Sequence, residues 1–350
     1  MSKDNVLIYG ANGYTGRLIT ELAVQKGLKP VIAGRNSEEI EQLAKQYDLD
    51  SLVFTLENED QLVQLLEPFV MVLHCAGPFY ITAKPMIKAC LKAQTHYLDI
   101  TGEIEVFEYA ASKNKAAKEA GILIMPGVGF DVVPSDCLAA HLSAKLPGAT
   151  HLELAFKGSG SLSKGTATTM AENLHRGGAI RENGKIRPVP AAYETKRIKY
   201  SSRESLSTTI PWGDVSTAFY STEIPNIKVF MAAPKKMISF LKYSNHFKWL
   251  LKTGFVRGMM RRNIAKNVTG PNSEMREGGK TELWGRVSRE NESFEATLNT
   301  PEGYKLTALT AVGSIEKLLG QNVFSGFKTP SMAFGSDFIL EFEGTERVDG

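Results

Sequence analysis

The strongest constraint on this chain sits at its beginning. Val6-Leu7-Ile8-Tyr9 is short, apolar and partly β-branched, and it runs into Gly10-Ala11-Asn12-Gly13-Tyr14-Thr15-Gly16. A periodic stretch follows with Leu18, Ile19, Leu22 and Ala23 on one face, which predicts a helix ending near Gly27. Glycines at 10, 13 and 16 answer a steric demand at a strand-to-helix turn. The first permits the tight turn, the second lets backbone approach a ligand, and the third lets helix and strand pack closely. N–H groups of the first helical turn then face that ligand, which suits a pyrophosphate. Gly10, Asn12, Gly13, Tyr14, Thr15 and Gly16 are therefore candidate dinucleotide-binding residues, against the plainer reading of a cofactor-free relic of the same fold.

A second strand, Val31-Ile32-Ala33, ends at Gly34-Arg35-Asn36. NAD sites usually place an acid here to bind the ribose 2′-hydroxyl. Arg35 stands there instead, and a guanidinium can pair with a 2′-phosphate and stack on adenine. NADP(H) is the expected cofactor, with NAD(H) second; a solvated arginine at a strand end is the alternative.

Strand and helix patterns continue to alternate. Strands are expected at 52–56, 70–74, 95–100 and 122–125, with helices at about 60–66, from Pro85 onward, and as one long run over 103–120. Six strands with crossover helices predict an α/β, Rossmann-type doubly wound parallel sheet. Ligands in such sheets lie beyond the carboxyl ends of the strands, and three loops there carry unusual residues. Cys75-Ala76-Gly77-Pro78 is a stiff turn suited to lie under a ribose or nicotinamide. Tyr97, Asp99 and Glu103 bring a phenol and two carboxylates to the rim, although Glu103 equally suits a helix N-terminus. Asp131 follows the glycine-rich Pro126–Phe130 segment, open to substrate or backbone N–H groups, while Asp136 looks like part of a helix start. Asp131, Tyr97 and Asp99 are the candidate catalytic residues. Tyr80/Lys84 and Tyr109/Lys113 have the spacing of a phenol–lysine pair, but Pro85 is expected to leave Lys84 ahead of its helix, and the second pair reads as packing plus solvent face.

Composition narrows the remaining classes. A net charge of +3 from 41 basic and 38 acidic residues does not suggest nucleic-acid binding. Three cysteines make neither a disulfide framework nor a metal-ligand spacing, and no metal is expected. No secretory leader is visible, so a cytoplasmic protein is expected. After about residue 148 the pattern shifts to strands at 151–156, 195–200, 206–212, 215–222, 227–233, 281–289 and 293–299, predicting a second α+β domain on a mostly antiparallel or mixed sheet. A polar loop over 158–169 and helices over 306–319 and 336–342 complete the expectation. The expected domains are 1–135 for the dinucleotide, 136–303 for substrate and dimerisation, and 304–350 as helices returning to the first. Residues 224–273 hold ten Lys/Arg and no acid, interleaved with aromatics and methionines. Met237, Leu241, Leu251, Phe255 and Met259 are expected on one helical face. Residues 235–266 thus suit packing on their own sheet, a peripheral membrane contact, or a protein partner.

Tyr9-Gly10-Ala11-Asn12-Gly13-Tyr14-Thr15-Gly16-Arg17, Ala33-Gly34-Arg35, Cys75–Phe79, Tyr97–Glu103 and Pro126–Asp131 through Pro134-Ser135-Asp136 together resemble the saccharopine dehydrogenase-like oxidoreductases, in the branch that includes trans-acting enoyl reductases. The resemblance implies an N-terminal NAD(P) domain, a mixed second domain, often a homodimer, and reduction with NADPH. A small-molecule or acyl substrate with an activated C=C or C=N bond is the leading expectation, with Asp131 or an ordered water relaying a proton and Tyr97 binding the acceptor oxygen. An opine- or saccharopine-type amino-acid dehydrogenase and a non-catalytic NADP(H) sensor or membrane-peripheral scaffold are the rivals.

Overall fold

The computed structural model of the protein describes residues 5–158, 163–320 and 324–350, and the chain divides into two compact units. The first joins the residues up to Val133 with Tyr304–Ala333; the second joins Pro134–Gly303 with Phe334–Gly350.

In the first unit β1 (Asn5–Tyr9), α1 (Tyr14–Gln25), β2 (Val31–Gly34), α2 (Ser37–Tyr47), β3 (Ser51–Val53), α3 (Glu59–Leu66), β4 (Phe69–His74) and α4 (Phe79–Ala93) follow in turn. Then come β5 (His96–Asp99), α5 (Ile104–Ser112), α6 (Asn114–Glu119), β6 (Leu123–Met125) and α7 (Val133–Lys145), the last crossing into the second unit. The six strands are parallel, in the order β6-β5-β4-β1-β2-β3. Val6 through Tyr9 are all buried, as expected of a strand covered on both faces. Register places Tyr9 beside Ala33 and His74, His74 beside Asp99, and Leu98 beside Met125. The loops after β1, β2, β4, β5 and β6 therefore leave one edge of the sheet, and chain order reverses at β1, where such sheets bind ligands.

Three local expectations need correction. Pro85 is the seventh residue of α4 rather than its start, because the Glu103 carboxylate accepts the N–H groups of Phe79 and Tyr80 and so begins the helix earlier. Tyr80 and Lys84 consequently share a helical turn, but Lys84 Nζ lies 5.5 Å from the centre of the Tyr109 ring, and Lys113 Nζ 5.1 Å from the same ring. The expected long helix over 103–120 breaks at Lys113 (φ −93°, ψ 3°), where Ser112 Oγ donates to the Tyr109 carbonyl.

The second unit continues with β7 (His151–Gly158), α8 (Lys164–Asn173), a 3₁₀ turn at Leu174–Arg176, β8 (Gly178–Glu182), β9 (Lys185–Val189), β10 (Thr195–Lys199), β11 (Glu204–Thr209), α9 (Asp214–Thr222) and β12 (Asn226–Ala232). Next come α10 (Lys235–Ser244), a 3₁₀ turn at Asn245–Phe247, α11 (Lys248–Leu251), α12 (Gly254–Asn267), α13 (Ser273–Gly278), β13 (Lys280–Arg289) and β14 (Glu292–Pro301). Its sheet is mixed: β12 and β7 are parallel, while β10, β11, β13 and β14 pair antiparallel with their neighbours. Ala155, Ile198, Tyr200, Phe230 and Trp284 form a buried cluster within it. The expected strand over 215–222 is instead α9, because buried Val215 and Ala218 recur at helical, not alternating, spacing. The basic region is broken into separate helices at Asn245–Phe247 and Lys252-Thr253, so Met237 and Phe255 do not share one helical face. Of the polar loop expected over 158–169, residues 159–162 lie outside the described residues, and Lys164 onward is helix.

The chain then gives the first unit α14 (Gly303–Leu319) and β15 (Gly326–Phe327), a seventh parallel strand beside β6, and α15 (Pro330–Phe334) begins there. The last seventeen residues do not return to that unit as a helix. A 3₁₀ turn at Phe338–Glu341 precedes β16 (Glu346–Asp349), which pairs with β14 and is pinned by His141 and Lys145 on the Asp349 carboxylate.

Within the first unit, α14 braces the loop that carries Asp131. Buried Thr310 donates from Oγ1 to the Val128 carbonyl at 2.8 Å, and Thr307 Oγ1 accepts the Phe130 N–H at 3.0 Å. Thr310→Val removes the first bond and leaves a buried carbonyl short of a donor. A loss of about 1–2 kcal/mol of unfolding free energy in urea denaturation is expected; an unchanged midpoint would show that the bond carries no stability.

Candidate functional site

The glycine turn is shaped by what surrounds it. Gly10 has φ +84°, and a Cβ there would come within 2.7 Å of the Ala76 nitrogen, so the turn after β1 lies directly against the turn after β4. At Gly16 a Cβ would collide with the Gly10 carbonyl. Gly13 is the N-cap of α1; no side chain caps this helix and no acid lies in its first turn. That helix start thus presents polar backbone and a positive dipole end at the ligand-binding edge of the sheet, which fits a dinucleotide phosphate.

Beyond the end of β2, Arg35 is exposed and has no hydrogen bond or ion pair among the described residues. Its neighbours are engaged. Asn36 caps α2 by accepting the Glu39 N–H and donates to Glu39 Oε1, while Asn12 donates to Glu39 Oε2 at 2.9 Å. Arg17 donates to the Asn12 carbonyl and lies 3.9 Å from Glu39. Glu39 therefore holds the glycine turn to the start of α2 and draws in Arg17. Arg35 is thus a cation available to a phosphate. Tyr14 packs edge-on against Tyr304, with ring centres 5.0 Å apart, and Thr15 is half-buried beside it in the same turn.

Cys75, Ala76, Gly77 and Pro78 form the turn after β4, with a cis peptide between Gly77 and Pro78. Burial pushes the Cys75 thiol far above its usual range, which leaves it protonated and unreactive. Thr82 Oγ1 donates to the Ala76 carbonyl at 2.7 Å, so the 2.9 Å contact with His74 uses the imidazole Nε2–H as donor. Burial lowers the His74 pKa to about 3 and keeps the ring neutral. His74 and Thr82 were not singled out from the sequence as site residues; a histidine closing an apolar strand was the only signal.

The three carboxylates of the region have different surroundings. Asp99 is fully buried: Oδ2 accepts the Tyr97 hydroxyl at 2.6 Å, and Oδ1 accepts the N–H groups of Thr101 at 3.0 Å and Gly127 at 2.8 Å. Burial outweighs these bonds and raises its pKa to about 6. Tyr97 is equally inaccessible, and burial with the Asp99 charge raises its phenol well above the usual value. Glu103 is held by the Phe79 and Tyr80 N–H groups at 3.0 and 2.8 Å, and burial raises it to about 7. Asp131 is the exception. The residue is half-buried, its carboxylate has no protein hydrogen-bond partner among the described residues, and a Cβ on Gly102 would come within 2.6 Å of its Oδ2. Burial first, and the Glu103 charge second, raise Asp131 to about 7. Asp136 is buried in the first turn of α7. Of the sequence candidates, the geometry gathers Tyr97, Asp99 and Asp131 with Glu103 in neighbouring loops, and leaves Asp131 as the group able to exchange a proton with a bound molecule.

Residues 6–125 match the family described as saccharopine dehydrogenase NADP binding domain. The chain is similar to a saccharopine dehydrogenase-like oxidoreductase of Bos taurus, 26% identical over 164 residues that cover 41% of this chain and 38% of that protein. It is also similar to a trans-acting enoyl reductase of Mycobacterium bovis, 31% identical over 140 residues that cover 38% of this chain and 34% of the relative. The alignments thus span under two fifths of the length of these curated relatives. A solved saccharopine dehydrogenase (L-Glu forming) from Saccharomyces cerevisiae shares the fold, with a TM-score of 0.66 at 12% identity over 99% of this chain and 100% of that one.

The raised pKa of Asp131 has a consequence for stability. A carboxyl with a folded value of about 7 and an ordinary value of 3.8 binds its proton more tightly when folded. Its stabilising contribution is complete below about pH 4 and disappears as pH rises through about 7. Asp131→Asn removes this dependence. Between pH 5 and 8 the variant's unfolding free energy should fall less steeply than the wild type's, by at least about 1 kcal/mol, a discounted share of the ~1.4 kcal/mol per unit that full burial implies. Parallel urea curves for both proteins across that range would show Asp131 to titrate normally.

Proposed function

We propose, from the match of residues 6–125 to the saccharopine dehydrogenase NADP binding domain, that the protein is an NADP(H)-dependent oxidoreductase that reduces an activated C=C or C=N bond. The observation that carries this reading is the Asp131 carboxyl, without a hydrogen-bond partner among the described residues and raised by burial to about 7, at the same sheet edge as the α1 turn that no side chain caps. When bound, the nicotinamide supplies a hydride from its C4. The chain's own contribution is binding, orientation and a proton. The α1 start and Gly10–Gly16 receive the pyrophosphate, and Arg35 pairs with the 2′-phosphate. The Cys75–Pro78 turn, held by Thr82 and capped through Glu103, supports the ribose and nicotinamide. Asp131 in its protonated form donates to the substrate atom that gains electron density, and returns to the acid form from solvent.

Tyr97 and Asp99 act in this scheme as positioning residues: their bonds to each other and to Gly127 fix the loop that bears Asp131. A conjugated alkene is supported by the likeness to a protein named as an enoyl reductase. An imine is the second acceptor with the same demand for a hydride and a proton.

Paired fluorescence titrations with NADPH and NADH test the cofactor assignment. The wild type should prefer NADPH by tenfold or more, about 1.4 kcal/mol, and Arg35→Ala should lose that preference while keeping its NADH affinity. Equal wild-type affinities would remove Arg35 from phosphate recognition. Asp131→Asn should retain NADPH affinity and lower turnover on an enoyl or imine acceptor by about a hundredfold at neutral pH. Wild-type reduction should also decline above about pH 7, where Asp131 loses its proton. Unchanged turnover and a flat profile would exclude Asp131 from the reaction.

A further inference from the structure

Within the second unit, the segment from α10 to α12 carries two apolar sets with different surroundings. One points inward: Ile238 packs with buried Ala192 and Ala233, flanked by Met237 and Leu241. This set fastens α10 to its own unit. The other points to solvent. Phe240 is 60% exposed, Tyr243 70%, Phe247 53%, Trp249 71%, Phe255 82% and Met259 57%. Scattered exposed apolar residues are ordinary, but five exposed aromatic rings within sixteen residues are not.

The placement of charge is equally ordered. On α10, exposed Lys236, Phe240 and Tyr243 recur at spacings of four and three; on α12, exposed Phe255, Met259, Arg262 and Lys266 do the same. Each helix thus presents rings or methionine beside cations on one outward stripe. α11 and the 3₁₀ turn, packed between them in the chain, add Trp249 and Phe247. No Asp or Glu occurs from 224 to 273, whereas ten Lys/Arg do. Against this local excess, the chain as a whole carries only +3. The positive charge is therefore concentrated where the rings are exposed.

We infer that this outward face of α10–α12 docks on an anionic lipid surface. Aromatic rings settle at the level of lipid headgroups, and lysine and arginine stems lie along apolar surface while their charges meet phosphate. Anionic headgroups complement a segment with ten cations and no acid of its own, each cation close to the surface strengthening attachment. Among the described residues no helix is long and apolar enough to cross a membrane, so the contact is one of lying on the surface. The inference does not rest on the proposed reaction, since it concerns residues far in sequence from Gly10–Asp131.

Vesicle flotation of the full chain tests it, with phosphatidylcholine vesicles compared against phosphatidylcholine–phosphatidylserine vesicles. Binding is expected with the anionic vesicles only, weakened by salt. Brominated acyl chains should quench the exposed Trp249, and Trp249→Phe should keep binding while losing that quenching. The double variant Phe240→Ser/Phe255→Ser and the charge variant Lys236→Gln/Arg262→Gln should each weaken partitioning by tenfold or more. Both should keep the wild-type NADPH affinity, which shows that the chain is folded. Absence of binding to anionic vesicles, or equal binding to neutral ones, overturns the inference. So does concentration-dependent self-association, or retention on an acidic protein, that the same substitutions abolish without any effect on vesicles.

Discussion

The first unit depends on the Asp99 carboxylate and the groups that surround it. Asp99 ends β5, takes the Tyr97 hydroxyl on one oxygen and two backbone N–H groups on the other, and so joins the loop after β5 to the loop after β6. Burying it raises its pKa, which measures what the site gives up to keep a carboxyl there. In return, the Gly127–Asp131 segment has a fixed course. Without that course, Asp131 would not sit beside Gly102, the one residue type that leaves it space.

A second carboxylate, Glu103, performs a related task one loop earlier by starting α4 and settling the turn at Cys75–Pro78. Together with Thr82 it places that turn against Gly10, so the cradle at β1 and the carboxyls at β5 and β6 form one continuous edge. Three acids crowded into partly buried loops repel one another and resist ionisation. Two of them are satisfied by backbone donors. The third, Asp131, has no hydrogen-bond partner among the described residues and is pushed up to about 7, and this asymmetry is what the proposed role as proton donor uses.

Much of this was legible in the residue order. Gly10, Gly13 and Gly16 between apolar strand and periodic helix leave few folds open, and Arg35 at the end of β2 follows from the same unit. The roles of Tyr97 and Asp99 were not legible, because alternation along β5 does not say that a phenol and a carboxylate two residues apart will bond to each other and to Gly127. Pro85 misled for a physical reason: a capping carboxylate twenty-four residues beyond Phe79 begins α4 ahead of it. In the second unit, β-branched Val215 and Thr217 mimicked a strand in what is α9. The β8–β9 hairpin was missed although Asn183-Gly184, both at positive φ, is a strong turn signal for two short strands. β15 has only two residues and owes its place to hydrogen bonds with β6, which no local pattern announces.

Asp131 is expected to keep a proton near neutrality because it is partly buried, close to Glu103 and without a hydrogen-bond partner among the described residues. A ¹³C NMR titration of its side-chain carboxyl, with the resonance assigned by its absence in Asp131→Asn, measures this directly. A midpoint near 7 is expected, the value to which burial and Glu103 raise it. A midpoint near the ordinary value of 3.8 would contradict it and leave the site without its acid.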